Sequence, residues 1–330
     1  VVDHKGDAVV EQPGEGTDTV RSSVDHELGD NVENLILIDR DTINGSGNAL
    51  SNTLTGTDGK NILDGGLGDD KLIGGANNDT YIVDSYGDLV IELVNGGSAD
   101  LIKTKLAAYR LGDNLEKLTY TGSDDFFGGG NNLDNTIASG AGDDRLDGAE
   151  GGDKMAGGAG DDVYVIDSKK DVATEAADAG TDTIETSLSK YTLDRNVENL
   201  SFVGQGDFRG TGNAAANSLL GGAGDDTLDG KDGADTLVGS EGDDVFIFHF
   251  GEADGDRVVD FSNAGPNAGD QLEFIGYGAG KLTRIGSTDF YLVTPDSKHG
   301  GAAKAETIQL SGVFNLDLQQ GTGHNDYAFV

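Results

Sequence analysis

Asp or Asn stands at every ninth residue through three stretches of this chain, and oxygen-bearing side chains on so regular a spacing suit one chemistry, the holding of hard cations. The positions are Asn52, Asn61, Asp70 and Asp79, then Asn135, Asp144, Asp153 and Asp162, then Asn217, Asp226, Asp235 and Asp244. Each closes a six-residue run rich in Gly. The purest copy, Gly65-Gly66-Leu67-Gly68-Asp69-Asp70-Lys71-Leu72-Ile73, has the form G-G-x-G-x-D-x-U-x with U apolar. Glycine tolerates the backbone angles that turn carbonyl oxygens inward. Carboxylates and carbonyls together supply the six to eight flexible oxygens that calcium takes. Magnesium prefers to keep its water, and zinc would want the His or Cys that these runs lack.

Something must hold those oxygens in place, and the same nonad provides it. Its eighth position reads Leu54, Leu63, Leu72, Tyr81, Ile137, Leu146, Met155, Tyr164, Leu219, Leu228, Leu237 and Phe246, all apolar against a polar background. Such a ladder is the inward face of a coil that alternates a turn with a short strand. Two nonads then make one circuit, so turns eighteen residues apart stack and can face one ion from both sides. Asp144 with Asp162, Asp226 with Asp244, Asp70 with Asp88, and Asp153 with Asp171 bring two carboxylates each. Asp79 with Asn61, and Asp235 with Asn217, bring one, and Asp18, Asp100 and Asp182 are weaker candidates in the spacers. The turn glycines expected to offer carbonyls are Gly66, Gly68, Gly75, Gly140, Gly142, Gly158, Gly160, Gly222, Gly224, Gly233 and Gly242. The first nonad of each block carries Asn at position six and reads as a turn held by amide hydrogen bonds, with weak or no metal affinity. Blocks two and three are therefore expected to bind before the front half of block one.

A longer period of about 82 residues encloses the short one. Asn31-Val32-Glu33-Asn34-Leu35 recurs as Asn114-Leu115-Glu116-Lys117-Leu118 and as Asn196-Val197-Glu198-Asn199-Leu200. The organisation expected is a truncated repeat at residues 1–46, blocks at 47–82, 130–165 and 212–247, degenerate solenoid spacers at 83–129 and 166–211, and a terminal segment at 248–330. Weakened nonads run through the spacers, so one continuous all-β rod is expected, with wider coils where the pattern lapses. Residues 248–330 abandon the period and read as a non-repetitive β cap over the open end. The chain begins in mid-repeat, since Val2-Asp3 and Gly6-Asp7 match Val83-Asp84 and Gly87-Asp88, which is the reading of a fragment.

Composition sharpens the need for cations. The 330 residues include 54 Gly, no Cys and no Trp, with a formal net charge of -38. Such a chain buries too little apolar surface to fold on composition alone, and bound divalent ions would turn its self-repulsion into a folding signal. Nucleic acid is excluded as a partner at this charge. No apolar run is long enough to cross a bilayer. His4, His26, His249, His299 and His324 lack ligand spacing, and no G-x-S-x-G, H-E-x-x-H or Cys nucleophile occurs. Asp39-Arg40-Asp41 with Asn44-Gly45 only half matches an EF-hand loop. The reading is of a chain without a catalytic constellation.

The tandem nonads resemble the RTX (repeats-in-toxin) family, strictly over the three blocks and loosely over most of the rest. That resemblance implies a parallel β-roll with calcium-filled turns, in a bacterial protein exported by type I secretion machinery to the outside or the cell surface. Asn325-Asp326-Tyr327-Ala328-Phe329-Val330 and Asp260-Phe261 are similar to the uncleaved C-terminal end of serralysin-like substrates; an edge strand packed on the cap is the plainer reading, and both can hold. The function expected is a calcium-binding module that folds on meeting extracellular calcium and supports secretion of an upstream passenger. One alternative is an adhesin or matrix protein binding exopolysaccharide, with spacer aromatics such as Tyr109, Tyr120, Phe126, Phe127, Tyr191, Phe202 and Phe208 as contacts or core. Another is the tail of a secreted protease, lipase or alginate epimerase.

Overall fold

The computed structural model describes residues 1–39, 42–262, 269–285, 289–296, 305–311 and 327–330. Arg40, Asp41, His299, His324, Asn325 and Asp326 lie outside the described residues. Every regular element among the described residues is a strand. They fall into two compact units, Val1–Asp162 with Ser168–Thr174, and Val163–Asp167 with Glu175–Val330.

The first unit is a parallel β-solenoid. One sheet orders Thr19–Ser22, Asn34–Leu37, Thr53–Thr55, Lys71–Ile73 and Leu89–Ile91, each parallel to the next. A second runs from His26–Glu27 through Gly45–Ser46, Ile62–Asp64, Thr80–Val83, Leu101–Thr104, Lys117–Tyr120, Thr136–Ala141 and Lys154–Ala159 to Val172–Ala173. Successive strands along the chain fall on alternate sheets, which is what a nine-residue turn and strand must do if two make a circuit. The register sets Lys71 against Thr53 and Thr80 against Ile62, so equivalent nonads stack. Ala108–Arg110 does not continue the first sheet beyond Leu89–Ile91; it begins another with Phe127–Gly129 and Arg145–Asp147.

The second unit repeats the design. Val163–Ile166, Thr183–Thr186, Asn199–Phe202, Ser218–Ala223 and Thr236–Glu241 form one parallel face, and Lys190–Thr192, Arg209–Thr211, Thr227–Asp229 and Val245–His249 the other. The nonad stops at 247, yet the ladders do not: Arg257–Val258 and Glu306–Leu310 extend the first face, and Gln271–Ile275 and Tyr327–Phe329 the second, all in parallel. The departure from the solenoid is the antiparallel hairpin Lys281–Arg284 with Phe290–Thr294, laid against Glu306–Leu310. Phe274 stacks on Phe248 and Phe329 with ring centroids 5.4 and 5.1 Å apart, so the last strand packs as the plainer reading of that segment expected.

All twelve position-eight side chains are buried, none more than 1% exposed. A buried Leu is worth about 1.5–3 kcal/mol against exposure, and the ladder is one row of a core that also takes in Val32, Leu35, Ile102, Leu118, Ile184 and Leu200. Between blocks the ladder continues in register through Ile102 and Leu118, and through Ile184 and Leu200, and flat stacks join it: Tyr120 on Phe126 at 4.5 Å and Phe202 on Phe208 at 4.6 Å, all four rings buried.

Candidate metal centres

The nonad turns are tied by a one-directional ladder. Oδ1 of each position-six Asp accepts the backbone N–H of the residue one circuit earlier: Asn52 to Asp70 at 2.7 Å, Asn61 to Asp79 at 2.7 Å, Asp70 to Asp88 at 2.9 Å. The same bond joins Phe126 to Asp144, Asn135 to Asp153, Asp144 to Asp162 and Asp153 to Asp171, each eighteen residues apart. In the second unit Phe208 donates to Asp226, Asn217 to Asp235 and Asp226 to Asp244. One carboxylate oxygen is thus spent on the fold, and the other is left for something else. Oδ2 of Asp70, Asp79, Asp226 and Asp235 is buried with no hydrogen-bond partner among the described residues.

The glycines explain why those oxygens sit so deep. All eleven turn glycines singled out above take a left-handed φ, from 78° at Gly66 to 135° at Gly242. At Gly242 a Cβ would strike the Gly224 carbonyl oxygen of the coil before. A Cβ at Gly65, Gly230 or Gly239, the first residue of its nonad, would strike the carboxylate of its own turn, so bare backbone forms the floor beneath Asp70, Asp235 and Asp244.

Burial, reinforced by neighbouring carboxylates, pushes these acids far up. Asp235 rises to about 8, Asp79 and Asp244 to about 7, and Asp70 and Asp226 to about 6. A carboxylate in this setting must take a proton or a cation. No Lys or Arg reaches any of these five among the described residues; the ion pairs, such as Arg110 with Asp147 at 3.2 Å, lie elsewhere. All-oxygen donors, unmet charge and bare backbone fit calcium.

The Asn-bearing turns are built differently. Asn52 Oδ1 accepts the N–H of Asn48 at 2.7 Å, and its amide donates to Val32 O at 3.1 Å. Asn48 Nδ2 donates to the carbonyls of both Gly29 and Val32 at 2.7 Å. Asn131 and Asn213 bridge pairs of carbonyls the same way. The amide N–H₂ groups bond to main-chain carbonyls of the preceding coil and so tie these turns together through hydrogen bonds. Asn61 likewise accepts from Thr57 N and donates to Ile43 O, which commits both ends of its side chain.

The spacers hold carboxylates that nonad counting passes over. Glu33, Glu116 and Glu198 reach the N–H of Asp18, Asp100 and Asp182, taking the Asp role in coils shortened to about sixteen residues. Asp256 serves Asp235 from 21 residues on, and Asp270 serves Asp244 from 26. The recurring Asn-x-Glu-x-Leu was the available signal for the first three. Asp256 and Asp270 had none, because insertions erase the spacing. A second, exposed ladder joins position-five acids, Asp143 donating to Asp125 and Asp161 to Asp143, with Asp225 and Asp243 repeating it over Asp207.

A parallel solenoid whose stacked turns present buried, uncompensated carboxylates defines a calcium-binding β-roll. The family model for the RTX calcium-binding nonapeptide repeat (4 copies) matches residues 46–81, 129–164 and 211–246, each range one residue ahead of the blocks read above. These three blocks are RTX calcium-binding nonapeptide repeats, and calcium is the ion such repeats bind. Over 63 residues the chain is also 48% identical to endo-1,3-1,4-beta-glycanase ExsH of Rhizobium meliloti (strain 1021), a match covering 19% of this chain and 13% of that protein. Among the described residues no helix is long and apolar enough to cross a membrane.

Proposed function

We propose that this chain is a non-catalytic, calcium-folded module of a secreted bacterial protein, passed out by type I secretion machinery and folding where calcium is plentiful, to the benefit of a passenger upstream. The observation that carries the reading is the buried Oδ2 of Asp70, Asp79, Asp226 and Asp235, each without a hydrogen-bond partner among the described residues. Extracellular calcium modules have dissociation constants of about 0.1 to 1 mM. At about 1 mM calcium each site then adds about 0.4 to 1.4 kcal/mol by mass action. Several coupled sites amount to a domain's whole stability, and at micromolar calcium inside a cell that term vanishes. Far-ultraviolet circular dichroism at about pH 8 in calcium and in chelator tests it: β signal in calcium alone supports the switch, and a chain folded in chelator at that pH sinks it.

A second reading, that the chain binds an exopolysaccharide, draws on one feature. A groove of about 490 Å³ opens in the first unit where the sheet breaks between Leu89–Ile91 and Ala108–Arg110, and Tyr86, Tyr109, Arg110 and Phe127 line it. Aromatic faces beside Asp88 and Arg110 are the chemistry that takes a sugar ring, and a relative over a short stretch is named as a glycanase. Retention on acidic polysaccharide in calcium, lost in Tyr109→Ala, would favour it; no retention removes it. Attachment to a secreted enzyme is a third reading, decided by the sequence upstream of Val1.

A further inference from the structure

We infer that Asp79, Glu92 and Asp100 form an additional calcium site of a different build, set on the insertion that follows the first block; the inference rests on the calcium-binding reading of the chain. Nonad turns bring their acids from coils eighteen residues apart. Here the two coils are 21 apart, Asp79 N–H donating to Asp100 Oδ1 at 2.6 Å, and the extra residues carry Glu92 in beneath them. Oxygens of the three carboxylates lie within 4.8 Å of one another, and all three side chains are buried.

Asp79 and Glu92 are held from outside the cluster, Asp79 Oδ1 by the N–H of Asn61 at 2.7 Å. Glu92 accepts the phenol O–H of Tyr81 and the N–H of Leu93. Its carbonyl accepts from Asn114 Nδ2 at 3.0 Å, and Gly96 N–H closes the loop on Leu93 O at 2.8 Å. Asp79 and Asp100, at most 1% exposed, each keep Oδ2 buried with no partner among the described residues. No Lys, Arg or His pairs with the trio among those residues, while Glu116, which accepts Asp100 N–H at 2.9 Å, adds a further negative charge beside it. A Cβ at Gly74, Gly96 or Gly97 would strike Asp79 Oδ2, Glu92 Oε1 or Asp100 Oδ2 respectively, so bare backbone walls the site on three sides. Three convergent carboxylates without a counter-charge call for a hard, oxygen-seeking cation of at least two charges.

The Tyr and Glu pairing is a recurring part. Tyr164 O–H donates to Glu175 at the same separation of eleven residues, and Tyr277 O–H donates to Glu306. In each case a position deep in the core fixes the carboxylate's angle.

Calcium per chain is counted by elemental analysis of the whole chain after dialysis against buffered calcium. Glu92→Gln is expected to hold one ion fewer than wild type with its β signal intact; an equal count overturns the site and leaves the nonad sites standing. A wild type without calcium would overturn both readings. Should Glu92→Gln not fold, Tyr81→Phe decides with terbium as the probe. The chain has no Trp, so tyrosine must sensitise the emission. Emission is expected to fall because Tyr81 touches Glu92; unchanged emission overturns the site.

Discussion

Asp70 divides its carboxylate between two tasks: Oδ1 accepts the N–H of Asn52 at 2.7 Å, and Oδ2 is buried with no partner among the described residues. The first half is a bond that ties one circuit to the next. The second half is a cost that calcium removes. Substitutions at such a position should therefore change sign with calcium.

Asp235→Asn is the clearest case, since burial drives Asp235 up to about 8. In calcium the variant should lose about 0.4 to 1.4 kcal/mol at a free concentration of about 1 mM. In chelator at pH 8 it should be more stable than wild type, because an amide has no charge to desolvate. Urea titration in calcium and the far-ultraviolet β signal in chelator at about pH 8 check this, and changes in the same direction would contradict it.

Protons should stand in for calcium. Asp235 titrates near 8 and Asp79, Asp244 and Asp256 near 7 in the folded chain, against an ordinary value of 3.8. Between about pH 4 and 8 the calcium-free folded state therefore binds protons that the unfolded state does not, and its stability falls as pH rises through that window. Circular dichroism in chelator should show more β structure at pH 5 than at pH 8.

Replacing Asp226 and Asp244 together by Ala should remove one ion from the calcium count, because the two stack through the Asp226 N–H and Asp244 Oδ1 bond of 2.9 Å. An unchanged stoichiometry would mean that turns one circuit apart do not share an ion.

Gly242→Ala puts a Cβ on a φ of 135° and against the Gly224 carbonyl oxygen. A loss of about 1 to 3 kcal/mol is expected, read from the urea midpoint in calcium. Leu72→Ala, on the fully buried ladder, should cost about 2 to 5 kcal/mol in the same assay.

The coil was legible wherever residues act through their neighbours one circuit away. Leu72 and Asp70 announce themselves because the nonad puts the next Leu and the next acid at the same height, so a period in sequence is a contact in space. Asp79 shows the limit. Counting by eighteen pairs it with Asn61, and Asn61 N–H does donate to it; yet its carboxylate neighbours are Glu92 and Asp100, brought in by an insertion whose length no repeat rule contains. Glu33 and Glu116 were visible as a motif but not as ladder members, since a longer side chain compensates a shorter coil only once the register is known. The terminal segment is the same lesson reversed. Arg257–Val258 and Gln271–Ile275 prolong the parallel ladders after the sequence pattern has ended, because the backbone edge templates a strand whatever its spacing.

The ladder of Oδ1 bonds has an arrow. In the second unit Asp270 secures the N–H of Asp244, Asp244 that of Asp226, and Asp226 that of Phe208, never the reverse. Asp270 is itself seated by the N–H of Ser262 at 2.6 Å. The exposed position-five acids lean the other way, Asp225 N–H on Asp207 and Asp243 N–H on Asp225. An interior coil is therefore clasped by its successor within and by its predecessor without, and a coil at either end of such a stack lacks one clasp: the inner one where nothing follows, the outer one where nothing precedes.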